Sequence, residues 1–130
     1  MYSILRVYGN VDELFSTLKN RHSLSMEIHL DRKGRGLTID LSKSDDCEAH
    51  WTEMTRNLDI LEQAAPEVMS GAYDLAIDIA LDTPEDKRAR GLDVYASTYR
   101  FGLEFLTMLV RRKIDLDVSI YLSMKPDEDE

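Results

Sequence analysis

The sequence has almost no cysteine: Cys47 is the only one, so no disulfide can form within the chain. This excludes a disulfide-stapled secreted scaffold and suits a reducing compartment, so we expect a cytoplasmic location. The opening residues MYSILRVYG carry Arg6 and lack the long apolar stretch of a signal peptide. No run approaches the roughly 20 apolar residues that a membrane span requires, and no membrane partner is expected.

Basic residues are also in deficit. Lysine and arginine total 16 against 25 aspartates and glutamates, which gives a formal net charge of −9. Nucleic acids and anionic membranes bind basic surfaces, so this balance argues against both as partners. A basic protein partner, a cation or simple solubility remain open as explanations.

Motifs for catalysis are missing as well. Gly34 and Gly36 do not follow a strand and open a helix, as the glycines of a phosphate-binding loop do. No Gly-x-Ser-x-Gly nucleophile elbow is present. We therefore expect a protein that is not an enzyme, with no cofactor. A metal site built from aspartates is a weaker alternative, because strand alternation spreads carboxylates over a sheet and no loop gathers them.

Two segments, Tyr73–Asp82 and Asp115–Ser123, alternate apolar residues with aspartates. In the first, Asp74, Asp78 and Asp82 oppose an apolar row. In the second, Asp115 and Asp117 do the same. Side chains alternate across a strand, so each segment predicts one buried face and one wet, acidic face.

The remaining elements follow from periodicity and from start and stop signals. Asn10 and Glu13 form a capping-box pattern before an amphipathic helix, and Ser44, Asp45 and Asp46 favour the start of another that Pro66 ends near Ala65. The predicted elements, in order, are strand Tyr2–Tyr8, helix Val11–Arg21, hairpin strands Leu24–Asp31 and Gly36–Ser42, the helix ending near Ala65, strand Tyr73–Asp82, a brief strand Leu92–Ala96, helix Tyr99–Lys113 and strand Asp115–Ser123.

This order predicts an α+β fold. Its first six elements, β-α-β-β-α-β, match a ferredoxin-like arrangement, to which a C-terminal α-β unit is added. Strands with one apolar face indicate a sheet covered on one side. We expect a two-layer sandwich with a mostly antiparallel sheet, helices on one face and the other face open. One domain should span residues 1–124, with a disordered acidic tail over residues 125–130.

The open face is the first candidate site. It should carry the carboxylates Glu27, Asp31, Asp40, Asp74, Asp78, Asp82, Asp115 and Asp117. Aspartate is a poor strand former and like charges on neighbouring strands repel, so the grouping has a stability cost. One interpretation is a surface that steers and holds a basic partner. The other is a solvated face that keeps the sheet soluble and discourages edge pairing.

The third helix is the second candidate. Leu103, Leu106, Leu109 and Val110 are predicted to face the core, with Tyr99. Phe101, Phe105 and Met108 would then point outward as an apolar patch. An exposed apolar patch usually marks an interface, so these three residues are a candidate dimer interface. Cover by the first helix or by the tail is the alternative.

The second helix carries an apolar stripe that includes Cys47, Trp51 and Met54. Cys47 is in register with this stripe, which favours a buried, inert thiol over a reactive one. His50 flanks the stripe and is expected to be a packed structural histidine. No histidine has a second histidine or Cys47 four residues away, so no helical metal pair is predicted.

Several segments together resemble a family of small bacterial α+β proteins of unknown function. They are the opening strand Ile4-Leu5-Arg6-Val7-Tyr8-Gly9, the helix that contains Trp51, the segment Leu92–Ser97 before a helix, and the close Ile114–Tyr121. Acidic proteins of this kind resemble immunity proteins encoded beside polymorphic toxins. The resemblance implies a binding role and no catalytic residues.

The leading hypothesis is a non-enzymatic acidic protein that binds a basic protein partner, including a toxin that it neutralises. A self-associating homodimer built on the third helix is the second hypothesis. A protein that binds a small ligand between sheet and helices is the third.

Overall fold

The computed structural model describes residues 1–21, 24–31, 35–82 and 101–121. The elements, in chain order, are β1 (Tyr2–Tyr8), α1 (Asp12–Lys19), β2 (Ile28–Leu30), β3 (Gly36–Ser42), α2 (Cys47–Ala64), a 3-10 turn (Pro66–Met69), β4 (Asp74–Asp82), α3 (Leu103–Arg111) and β5 (Ile114–Tyr121). The predicted strand Leu92–Ala96 and the predicted tail 125–130 lie outside the described residues.

The five strands form one mixed sheet in the order β2-β3-β1-β4-β5. β1 lies antiparallel to both β3 and β4, and β2 is antiparallel to β3. β4 and β5 are parallel, as expected for two strands joined through a helix. Together with three helices in the described ranges, this sheet confirms the predicted α+β class.

One face of the sheet forms the core. Leu5 in β1 lies between Ile39 of β3 and Ile77 of β4, and all three are fully buried. The same cluster takes in side chains from all three helices: Leu14 and Leu18, Met54, Leu58 and Leu61, and Leu109. Each such side chain contributes roughly 1.5–3 kcal/mol on burial. The described helices therefore cover this face.

Helix α2 begins and ends where its sequence predicts. Asp46 is the N-cap, and its carboxylate accepts a hydrogen bond from the Ala49 amide at 2.9 Å. Pro66 ends the helix because its ring excludes a preceding helical turn. A 3-10 turn follows, and Gly71 takes a φ of +94° that a side chain would oppose.

The predicted capping box before α1 is wrong. Val11 occupies the N-cap position without a side-chain cap, and the helix begins at Asp12. Val11 is fully buried in the core cluster, and this anchoring fixes where the chain turns into the helix. Asn10 consequently lies one residue too early to reach the free amides.

The predicted orientation of α3 is confirmed at Leu109, which is buried in the core, and is wrong for the rest of the described helix. Phe101, Phe105 and Met108 are half-buried and pack against the core, whereas Leu103 is 80% exposed and Val110 is 77% exposed. Aromatic rings bury more apolar area than leucine or valine, so the helix turns them inward. The Trp51 ring centroid lies 5.7 Å from that of Phe101 and 5.3 Å from that of Phe105.

Cys47 is exposed, contrary to the prediction that it is buried. The buried stripe of α2 starts at His50, almost one turn later, and continues through Met54, Leu58 and Leu61. His50 is fully buried, and its Nδ1 lies 2.9 Å from the Ser44 carbonyl oxygen. The expectation of a packed structural histidine is thus confirmed.

Arg112 joins α2 to the turn between α3 and β5. Its guanidinium donates to Asp59 Oδ1 at 2.7 Å and to Glu62 Oε2 at 2.8 Å through Nε, and its side chain is 5% exposed. A planar guanidinium with two carboxylates on one helix fixes the direction in which the chain enters β5.

None of the helices in the described ranges is long and apolar enough to cross a membrane.

His50 predicts a pH dependence of stability. Burial lowers the pKa of its imidazole below the ordinary value of 6.5. The unfolded chain then binds more protons than the folded one as pH falls through 6.5, so stability should decrease there, by up to about 1.4 kcal/mol per pH unit. Urea unfolding between about pH 7.5 and about pH 5.5 measures this loss.

The matched variants are His50→Gln and His29→Gln. In His50→Gln the free energy of unfolding should change less between these two pH values. In His29→Gln it should change as much as in the parent, since His29 is exposed. Equal slopes in both variants would contradict the assignment to His50.

Candidate functional site

The register of the sheet places acidic residues in a line on the face away from the helices. Ile4 in β1 pairs with Asp40 on one side and with Asp78 on the other. Asp78 in turn lies beside Asp117 of β5. Since Leu5, the next residue, faces the core, these aspartates face the other way. We call this side of the sheet the acidic face.

Neighbouring rows add further members. Arg6 lies between Thr38 and Ala76, and Ala76 pairs with Asp115. Tyr8 pairs with Asp74 on β4, and the amide of Asp31 donates to the Gly36 carbonyl at 2.9 Å. Glu27 and His29 lie at the β2 end. Asp82 is the last residue that was predicted for this face, and its backbone pairs with Tyr121 on β5.

The negative charge of Asp78 is compensated by donors on the neighbouring strands β1 and β5. Its Oδ2 accepts a hydrogen bond from Arg6 Nη2 at 3.1 Å, and its Oδ1 accepts one from Ser119 Oγ at 3.1 Å. The Asp78 side chain is only 13% exposed. A partly buried carboxylate with two donors stabilises the fold and has little capacity left for an outside partner.

Asp40 is compensated in a similar way at the β2–β3 corner. Tyr2 donates its hydroxyl to Asp40 Oδ1 at 2.6 Å, and burial together with this hydrogen bond raises the pKa of Tyr2 to about 12. Lys43 Nζ lies 3.5 Å from Asp40 Oδ2 and 3.8 Å from Glu27 Oε2. His29 Nε2 is 3.6 Å from both carboxylates.

Among the described residues, the carboxylates of this face without a basic partner are Asp31, Asp74, Asp115 and Asp117. All four are exposed, and no basic nitrogen of the described residues lies within 4.0 Å of them. Asp74, Asp115 and Asp117 belong to the adjacent strands β4 and β5. Apart from Asp31, which follows β2, the described acidic face therefore has a compensated half around β1–β3 and an uncompensated half at the β4–β5 edge.

Sequence reasoning missed the compensating groups. Tyr2 and Arg6 lie on the same side of β1, and the sequence shows this spacing of two polar residues within the strand. The sequence does not show which strands flank β1. The Tyr2 hydroxyl and the Arg6 guanidinium could therefore not be assigned to particular carboxylates. Lys43 follows β3 and gave no signal of its own.

A cavity of about 330 Å³ lies between α2 and α3. Its walls include Trp51, Thr55, Phe101, Phe105 and Met108. The residues predicted as an outward dimer patch thus line an inward-facing aromatic cleft. The hypothesis of a small-ligand-binding protein stays a prediction.

Comparisons with protein-family models, with curated proteins and with solved structures found no match for this chain.

The two kinds of carboxylate predict different mutational effects. Asp78→Asn weakens the hydrogen bonds from Arg6 and Ser119 and should lower the free energy of unfolding by about 1–2 kcal/mol. Asp117→Asn, the matched change on the neighbouring strand, should stay within about 0.5 kcal/mol of the parent or raise it slightly, because repulsion from Asp78 is relieved. Urea unfolding measures both. Losses of the same size in the two variants would contradict the division of the face.

Proposed function

We propose that this chain is a non-enzymatic binding protein whose acidic face engages a basic protein partner. The observation that carries the proposal is a group of exposed carboxylates at the β4–β5 edge, Asp74, Asp115 and Asp117. None of them forms an ion pair with a lysine, arginine or histidine of the described residues. A toxin neutralised by an immunity protein is the kind of basic partner that the sequence resemblance suggests.

The cost of this arrangement supports a functional role. Aspartate disfavours strands, and Asp78 and Asp117 are direct neighbours on β4 and β5. Serine or threonine would give a wet face without this repulsion. A net charge of −9 adds a long-range field that speeds the encounter with a cationic partner.

Two finer assignments accompany this proposal. We propose a ferredoxin-like β-α-β-β-α-β core extended by an α-β unit, supported by the order β2-β3-β1-β4 with antiparallel neighbours. We also propose a bacterial, cytoplasmic protein, supported by the sequence resemblance and by the lone, exposed cysteine.

Capture from a lysate of the native host, followed by affinity measurement on the captured partner, tests the binding role. The triple variant Asp74→Asn, Asp115→Asn, Asp117→Asn should bind about tenfold more weakly, because three surface ion pairs contribute roughly 0.5 kcal/mol each. Binding of the parent should also weaken steeply with added salt.

The control removes the same charge from the helix layer: Asp12→Asn, Glu48→Gln, Glu104→Gln. These three residues are exposed in the first turns of α1, α2 and α3. The control should keep the parent's affinity within about twofold. Equal losses in the two triple variants would show that net charge, and not the acidic face, governs binding.

Self-association is the second candidate function, and the corrected face of α3 favours it. Leu103, Leu106 and Val110 are exposed on one side of that helix. Apolar side chains left in water on successive turns are typical of an interface.

Sedimentation equilibrium tests this candidate. The parent should form a dimer that Val110→Glu returns to monomer, while Gln63→Glu, on an exposed position of α2, leaves the dimer intact. A monomeric parent at high concentration would rule out the homodimer.

A further inference from the structure

Three potential metal ligands converge at the β2–β3 corner of the acidic face. Glu27, His29 and Asp40 each direct one ligand atom to a common point, and these atoms all lie within 4.8 Å of one another. His29 Nε2 is 3.6 Å from Glu27 Oε2 and 3.6 Å from Asp40 Oδ2. Ligand atoms on a tetrahedral zinc ion, with bonds of about 2.0–2.1 Å, are roughly 3.3 Å apart. Small side-chain rotations close the difference.

The backbone explains why these three residues meet. Glu27 and His29 are two residues apart on the β2 side, so both point to the acidic face. Asp40 faces them from β3, where its amide donates to the Glu27 carbonyl at 2.9 Å. The pairing of β2 with β3 fixes the backbone of all three residues. Only the exposed side chains of Glu27 and His29 need to rotate to bring the ligand atoms to bonding distance of one ion.

Asp40 has one carboxylate oxygen without a hydrogen bond among the described residues. Its side chain is 10% exposed, and Tyr2 occupies Oδ1. Its second oxygen, Oδ2, accepts no hydrogen bond from the described side chains, and its neighbours there are Lys43 Nζ at 3.5 Å and His29 Nε2 at 3.6 Å. A carboxylate oxygen whose neighbours are ion-pair partners at 3.5 Å or more retains lone pairs for a cation.

We propose that Glu27, His29 and Asp40 bind a divalent transition-metal ion of the zinc class. One imidazole with two carboxylates suits zinc, cobalt or nickel better than calcium or magnesium, which prefer oxygen ligands alone. Water would complete the coordination. The Tyr2 hydroxyl holds Asp40 in the orientation that a metal ligand requires. This site goes beyond the proposed binding of a basic partner.

The Lys43 ammonium forms ion pairs with two of the three proposed metal ligands, Glu27 and Asp40. It also lies over the Tyr2 ring, 5.9 Å from the ring centroid. A metal ion brings more charge to the same place and displaces the ammonium into water, where its long side chain can extend. Lys43 therefore competes with the metal, and its removal should strengthen binding.

Titration of the full chain with Zn²⁺ in a calorimeter tests the site, and Co²⁺ absorption reports the coordination geometry. One Zn²⁺ should bind, His29→Gln and Glu27→Gln should each lower the affinity by about tenfold or more, and Lys43→Met should raise it. His22→Gln, which also removes an imidazole, should leave the affinity unchanged. Urea unfolding of each variant confirms that the fold persists.

Zn²⁺ binding that survives His29→Gln, that is lost in His22→Gln, or that is not saturable would overturn the proposal. Because the titration needs no partner protein, its failure leaves the proposed interaction through the β4–β5 edge untouched.

Discussion

Everything else in the structure depends on the register of β1 between β3 and β4. Leu5 is fully buried between Ile39 and Ile77, while the adjacent Ile4 lies between Asp40 and Asp78 on the opposite side. A slip of β1 by one residue would turn Leu5 toward water and the charged Arg6 toward the core. Burial of the apolar row, at roughly 1.5–3 kcal/mol per large side chain, opposes such a slip strongly. The placement of Tyr2 beside Asp40 and of Arg6 beside Asp78 is thus a consequence of how the core packs.

The same register decides which charges are compensated. β1 contributes Arg6 to Asp78 and Tyr2 to Asp40, and β5 contributes Ser119 to Asp78. Asp40 and Asp78, which flank Ile4 of β1, therefore obtain partners from that strand. Asp117, one strand further from β1, does not, since no arginine or lysine of the described residues reaches it within 4.0 Å.

Alternation and cap signals predicted much of this fold because they are local. The period of two located β3, β4 and β5 and their wet faces, and Asp46 with Pro66 predicted the bounds of α2. The orientation of α3 was not predictable, since that helix carries apolar residues on two sides and only the position of Trp51 shows which side turns inward. The compensation of Asp78 by Arg6 depends on strand order. The convergence of His29 with Asp40 depends on the pairing of β2 with β3.

The two halves of the acidic face suit different ligands. At the β2–β3 corner, Lys43 and His29 already lie beside Glu27 and Asp40, so an approaching basic protein would meet a local charge near balance. A small divalent ion can still enter there because it needs lone pairs at short range. At the β4–β5 edge, Asp115 and Asp117 are exposed and lie on the outermost strand of the sheet that the described residues form, where a protein surface can contact both carboxylates. Geometry and charge together therefore favour this edge for the proposed basic partner, and the opposite corner for the proposed metal ion.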